Sequence, residues 1–110
     1  MHMRTATADT ENQLNIENLQ LKKAALVFRA INHNLRQQIL RLLHSEKRMA
    51  VTNLYVKLRL EQSVASQHLA VLRRAGFVTT QREGKQVFYS VNYTRLKEVT
   101  KRAKELIDSD

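Results

Sequence analysis

Apolar residues recur at helical spacing in five separate stretches of the chain and alternate with polar ones in a sixth. In the first they fall at Leu14, Leu21 and Phe28, with Ala24 and Ile31 displaced by three, and a second stripe runs through Leu26, Val27 and Ala30. A helix that is apolar on more than one side must bury more than one face. This element is therefore expected to pack both on its own domain and on a second subunit, although a single core helix of a monomer would show a similar pattern. Leu35, Ile39, Leu42 and Leu43 mark the next helix, with Arg36, Gln38 and Arg41 outside its apolar face and Asn32 or Asn34 placed to cap it. It is expected to end near Ser45. The charged connection Glu46-Lys47-Arg48 leads into Val51, Leu54, Tyr55 and Leu58, whose spacing suits a helix of about two turns.

After a short turn at Arg59-Leu60-Glu61, a helix is predicted from about Gln62 to Ala75. Ala65, Leu69 and Leu72 point inward, and Ser63, Ser66, Gln67, Ala70 and Arg74 point outward. Gly76 is placed to stop it as a left-handed cap residue. The stretches from Phe77 to Arg82 and from Gln86 to Val91 are rich in Val, Thr, Phe and Tyr, and Glu83-Gly84-Lys85 supplies the glycine of a tight hairpin. Asn92 can cap a last helix in which Leu96, Val99, Ala103 and Leu106 repeat at near-heptad spacing, while Arg95, Lys97, Glu98, Lys101, Lys104 and Glu105 keep the other face in water. The expected fold is mainly α with a small β-hairpin: a winged helix-turn-helix of five helices and a two-stranded wing, in one domain over residues 13–110. The polar residues 1–12 show no apolar period and are expected to be a disordered tail.

Charge sharpens this picture. The 110 residues carry 19 Lys and Arg against 10 Asp and Glu, a formal charge of +9, which favours a polyanionic partner. The absence of cysteine removes disulfides and thiolate metal sites together. No run approaches the roughly 18 apolar residues that span a bilayer, and no apolar signal core stands at the N-terminus, so a cytoplasmic location is expected. With no paired carboxylates, glycine-rich phosphate loop or Ser/His/Asp spacing, an enzyme is not expected.

Ser66-Gln67-His68-Leu69, Leu72-Arg73-Arg74-Ala75-Gly76-Phe77-Val78 and the wing from Arg82 to Tyr89 resemble the corresponding motifs of the ArsR family of bacterial winged-helix repressors. Arg36, Ile39 and Leu40 likewise resemble that family's Arg-x-x-Ile-Leu segment, and the similarity runs from about Ala30 to Val91. The resemblance implies a homodimeric repressor of double-stranded DNA, often released from its operator by an inducer; the sequence names no inducer. It departs from the family at its sensing sites. Ala50-Val51-Thr52 stands where metal-sensing members carry Cys-Val-Cys, the last helix holds no histidine from Thr94 to Ile107, and His33-Asn34 replaces the usual Asp-Pro. Zinc needs about four well-placed ligands, so neither a metal nor a cofactor is expected, and zinc, arsenite and peroxide are not expected to release the protein from DNA.

The candidate base-reading residues are Gln62, Ser63, Val64, Ser66, Gln67 and Ala70. Small and amide side chains reach base edges while letting the helix enter the major groove, and apolar ones can touch a thymine methyl. For the DNA backbone the candidates are Arg82 and Lys85 at the wing tip, Arg74 beside the reading helix, and more weakly Lys47, Arg48, Thr52 and His68. Candidate dimer contacts are Leu14, Leu21, Ala24 and Phe28 on the first helix and Leu96, Val99, Ala103 and Leu106 on the last. The competing readings are a protein-interaction module built on the same fold and a nonspecific nucleic-acid binder.

Overall fold

The computed structural model describes residues 14–108. The tail expected over residues 1–12 lies outside them, as do residues 13, 109 and 110 of the expected domain. In chain order the elements are α1 (Asn18–Ile31), α2 (Asn34–Glu46), β1 (Met49–Ala50), α3 (Val51–Lys57), α4 (Gln62–Arg74), β2 (Val78–Glu83), β3 (Gln86–Val91) and α5 (Tyr93–Asp108).

The core is where the five helices and the sheet converge. Ile39, Leu43, Leu54, Ala65, Leu69, Leu72 and Phe77 are fully buried there, joined by Ala30, Leu40, Met49, Val78, Val91 and Val99. On α4 the buried residues Ala65, Leu69 and Leu72 recur at the i, i+4, i+7 spacing of one helical face. Helix α3 meets α4 through a four-residue turn over 58–61. There Leu60 N–H donates to Tyr55 O at 2.9 Å and Arg59 takes a left-handed φ of 56°. These two helices form the helix-turn-helix, and the sheet beside them is the wing.

Several details differ from the sequence expectation. The sheet has three strands in the order β1-β3-β2, because Met49 and Ala50 pair with Tyr89 and Phe88. A strand of two residues is too short to show an alternating pattern, so the segment read as part of a charged connection. The wing loop is also tighter than Glu83-Gly84-Lys85: Glu83 pairs with Gln86, leaving Gly84 and Lys85 as a two-residue loop. Gly84 has φ +63°, a left-handed value that two-residue hairpin loops give to glycine. Helix α1 begins at Asn18, so Leu14 precedes it rather than belonging to its stripe.

The caps of α2 are corrected as well. Neither Asn32 nor Asn34 caps it: His33 does, its Nδ1 accepting from Leu35 N–H at 3.2 Å and Arg36 N–H at 3.4 Å. The buried stripe of this helix is Arg36, Ile39, Leu40 and Leu43, with Leu35 and Leu42 half-buried, so Arg36 is in the core rather than outside it. Two expected caps do form. Gly76 ends α4 with φ +87°, and Asn92 Oδ1 accepts from Arg95 N–H at 3.2 Å to start α5.

Candidate nucleic-acid interface

Burying Ala65, Leu69 and Leu72 fixes which side of α4 faces out. Gln62, Ser63, Ser66, Gln67 and Ala70 are all exposed, and Val64 is half-buried at the edge of that face. All but Ala70 lie within the first two turns, where a helix entering the major groove presents side chains to base edges. Arg73 and Arg74 are exposed on the last turn. Arg82 and Lys85 are exposed beside the wing tip, and Lys47 and Thr52 are exposed near the base of the sheet. The structure therefore brings a polar, largely uncharged face together with flanking cations, the arrangement that separates base reading from backbone anchoring.

Two of the sequence-derived backbone candidates are engaged elsewhere. Arg48 is held by Glu83 in a two-pronged ion pair, at 2.6 Å from Nη1 to Oε2 and 2.9 Å from Nη2 to Oε1. Its guanidinium carbon also lies 4.1 Å from the centre of the Phe88 ring. The hydrogen bond, more than the bare charge, raises Arg48 above its ordinary pKa and holds the Glu83 carboxyl below its own. Because both ends face solvent, the pair is a geometric clasp between the start of the sheet and the wing tip rather than a large source of stability. His68 is turned inward. Its Nδ1 lies 3.2 Å from Arg36 Nη1, and its ring centre is 4.9 Å from that of His33.

The candidate dimer residues separate by depth. Val99 is taken up by the core, and Phe28 and Leu96 pack against it. Ala103 is half-buried, whereas Leu21 and Leu106 are 58% and 70% exposed and Ala24 and Leu14 are also exposed. Leu19, Leu26 and Ile107 add to this exposed apolar surface on α1 and α5.

Sequence reasoning overlooked Arg36, Glu83 and Arg95 as structural partners of the site. Arg36 had a legible signal: it stands three before Ile39 and seven before Leu43, on the same face as both. For Glu83 and Arg95 the partners are 35 and 20 residues away, beyond any local pattern. Among the described residues no group of three or more His, Cys, Asp or Glu is placed to hold a metal ion. Likewise no helix there is long and apolar enough to cross a membrane.

Comparison with known proteins agrees with this geometry. Residues 32–81 match a family model described as a helix-turn-helix domain. The transcriptional activator HlyU of Vibrio cholerae is 41% identical over 75 residues, which are 68% of this chain and 68% of the relative. The transcriptional repressor PagR of Bacillus anthracis is 30% identical over 86 residues, 78% of this chain and 86% of the relative. The crystal structure of the transcriptional regulator HlyU from Vibrio vulnificus superimposes with a TM-score of 0.59 at 35% identity, covering 79% of this chain and 91% of its own. Helix-turn-helix, wing and relatives agree, and the chain belongs to the ArsR-like family of DNA-binding winged helix-turn-helix transcriptional regulators.

Proposed function

We propose that the protein is a homodimeric, cytoplasmic repressor that recognises an imperfect inverted repeat, one α4 in each of two major grooves and one wing beside each. The observation that carries this is the exposed Gln62, Ser63, Ser66 and Gln67 face of α4, flanked by Arg74 and by the wing cations Arg82 and Lys85. The dimer is supported by the exposed leucines on α1 and α5: a small domain that leaves Leu19, Leu21 and Leu26 in water gains by covering them. A two-fold axis between protomers would present the two reading helices to half-sites about one helical turn apart. Repression follows when such a site overlaps a promoter and the bound dimer excludes polymerase. The relatives include a protein named an activator and two named repressors. No catalytic role and no bound cofactor form part of this function.

The test is selection of bound duplexes from a random DNA pool at physiological salt with excess competitor. Recovery of a palindromic motif with half-sites about one turn apart supports the proposal. An enriched half-site without symmetry would refute the dimeric mode, and no enrichment by folded protein would leave a nonspecific binder.

A further inference from the structure

Arg36 is the charged residue of the core among the described residues, and all three of its nitrogens are used. Nε donates to Ala30 O at 2.7 Å and Nη2 donates to Arg29 O at 3.0 Å. Both carbonyls belong to the last turn of α1, where a helix lacks its own N–H partners. The remaining nitrogen, Nη1, reaches His68 Nδ1 on α4 at 3.2 Å. One guanidinium thus ties the end of α1 and the start of α2 to the middle of the reading helix, at the residue that follows Gln67.

The chemistry of this contact fixes a protonation state. A guanidinium has donors and no acceptor, so His68 Nδ1 must carry a lone pair and the ring hydrogen must sit on Nε2. His33 is held the same way, its Nδ1 accepting from the Leu35 and Arg36 N–H groups. A proton on His68 Nδ1 would set donor against donor and place a second positive charge beside Arg36. The charged or titratable groups facing His68 are Arg36 from α2 and His33 from the cap before it, and both oppose that charge. Along α1 the groups that Arg36 engages are the two backbone carbonyls, which stay neutral.

We infer that Arg36 and His33 are positioning residues for base reading that act through His68: α4 is held at its reading angle only while His68 Nδ1 is unprotonated, so acid weakens specific DNA binding. This rests on α4 being the reading helix. Burial first, and then the neighbouring His33 and Arg36, hold His68 below its ordinary value of 6.5. The unfolded chain therefore takes up the proton more readily than the fold does. The contribution is fully present above the unfolded value and is lost as pH falls below 6.5 toward the depressed folded value. Nonspecific attraction to DNA moves the other way, because added protons add positive charge. The ratio of specific to nonspecific affinity separates the two effects.

The experiment measures that ratio at fixed ionic strength from about pH 7.5 to about pH 5, with circular dichroism at each pH. It compares the full chain with His68→Asn, whose side-chain oxygen accepts from Arg36 at every pH. The wild type is expected to lose about tenfold in the ratio on acidification, while His68→Asn stays flat. A flat wild-type profile, or an equal acid limb in His68→Asn, would overturn this role. Nitrogen-15 NMR of the wild-type ring decides independently of whether the variant folds. Hydrogen on Nε2 and a bare Nδ1 at about pH 7.5 are expected, and the opposite tautomer would overturn the role. Absence of specific binding at every pH would instead remove the reading role of α4, and this inference with it.

Discussion

The side chain of Arg95 lies across Gly76: its Nε donates to Ala75 O at 2.9 Å, and a Cβ on Gly76 would meet that Nε at 3.3 Å. The C-terminal cap of α4 is therefore tied to α5 by the Arg95 side chain, which passes over Gly76. Arg95 is in turn oriented by Glu98 at 2.7 Å and by the Asn92 cap on its backbone N–H.

Gly76→Ala combines a left-handed φ of +87° with this close approach, whereas Gly84→Ala meets only the left-handed φ of +63°, with nothing within 4 Å. Urea denaturation should show a loss of about 1–2 kcal/mol at Gly76 and a smaller loss at Gly84. A larger loss at Gly84 would contradict the contact with Arg95.

Glu83 places the carboxylate of the Arg48 clasp at the wing. Replacing it as Glu83→Gln removes a negative charge from the surface proposed to meet phosphates and weakens the hold on the Arg48 fork. The thermal midpoint should barely move, because the pair is exposed. Affinity for unrelated duplex should rise, with log affinity against log salt steeper by roughly one. Weaker binding would mean that the clasp itself shapes the wing for DNA.

Arg82 and Lys85 are exposed beside the wing tip. Changing both to Ala should weaken every duplex alike and reduce the salt slope by roughly two, at about 0.9 per phosphate contact. Fluorescence anisotropy across a salt series measures this. A change in preferred sequence would show that the wing reads bases.

Leu19 and Leu21 are 62% and 58% exposed on α1. The proposed dimer buries them and leaves no room for a carboxylate, so Leu21→Glu combined with Leu19→Glu should raise the dimer dissociation constant by roughly two orders of magnitude, about 2.8 kcal/mol. Sedimentation equilibrium reads the outcome. An unchanged dimer would place the interface elsewhere.

Much of this fold was legible because its signals are local. Ala65, Leu69 and Leu72 repeat at helical spacing, Gly76 and Gly84 fall where left-handed turns occur, and Asn92 caps α5 as its position suggests. These fixed the outward face of α4 and hence the candidate reading residues. Less legible was whatever depends on partners distant in sequence. The strand Met49–Ala50 exists only through its pairing with Tyr89 and Phe88. Arg36 reads as a surface residue until the Arg29 and Ala30 carbonyls and His68 converge on it. Arg48 reads as a free phosphate contact until Glu83 folds back over it.

The most direct test of base reading by α4 is the affinity of the wild type and Gln67→Ala for the selected site and for each of its single-base variants. Gln67 is exposed on the reading face, and an amide can make a two-pronged contact to adenine. The account predicts that Gln67→Ala loses about 1–3 kcal/mol on the selected site and stops discriminating at one base pair per half-site, with the other positions unchanged. Undiminished discrimination at every position in a folded Gln67→Ala protein would contradict it.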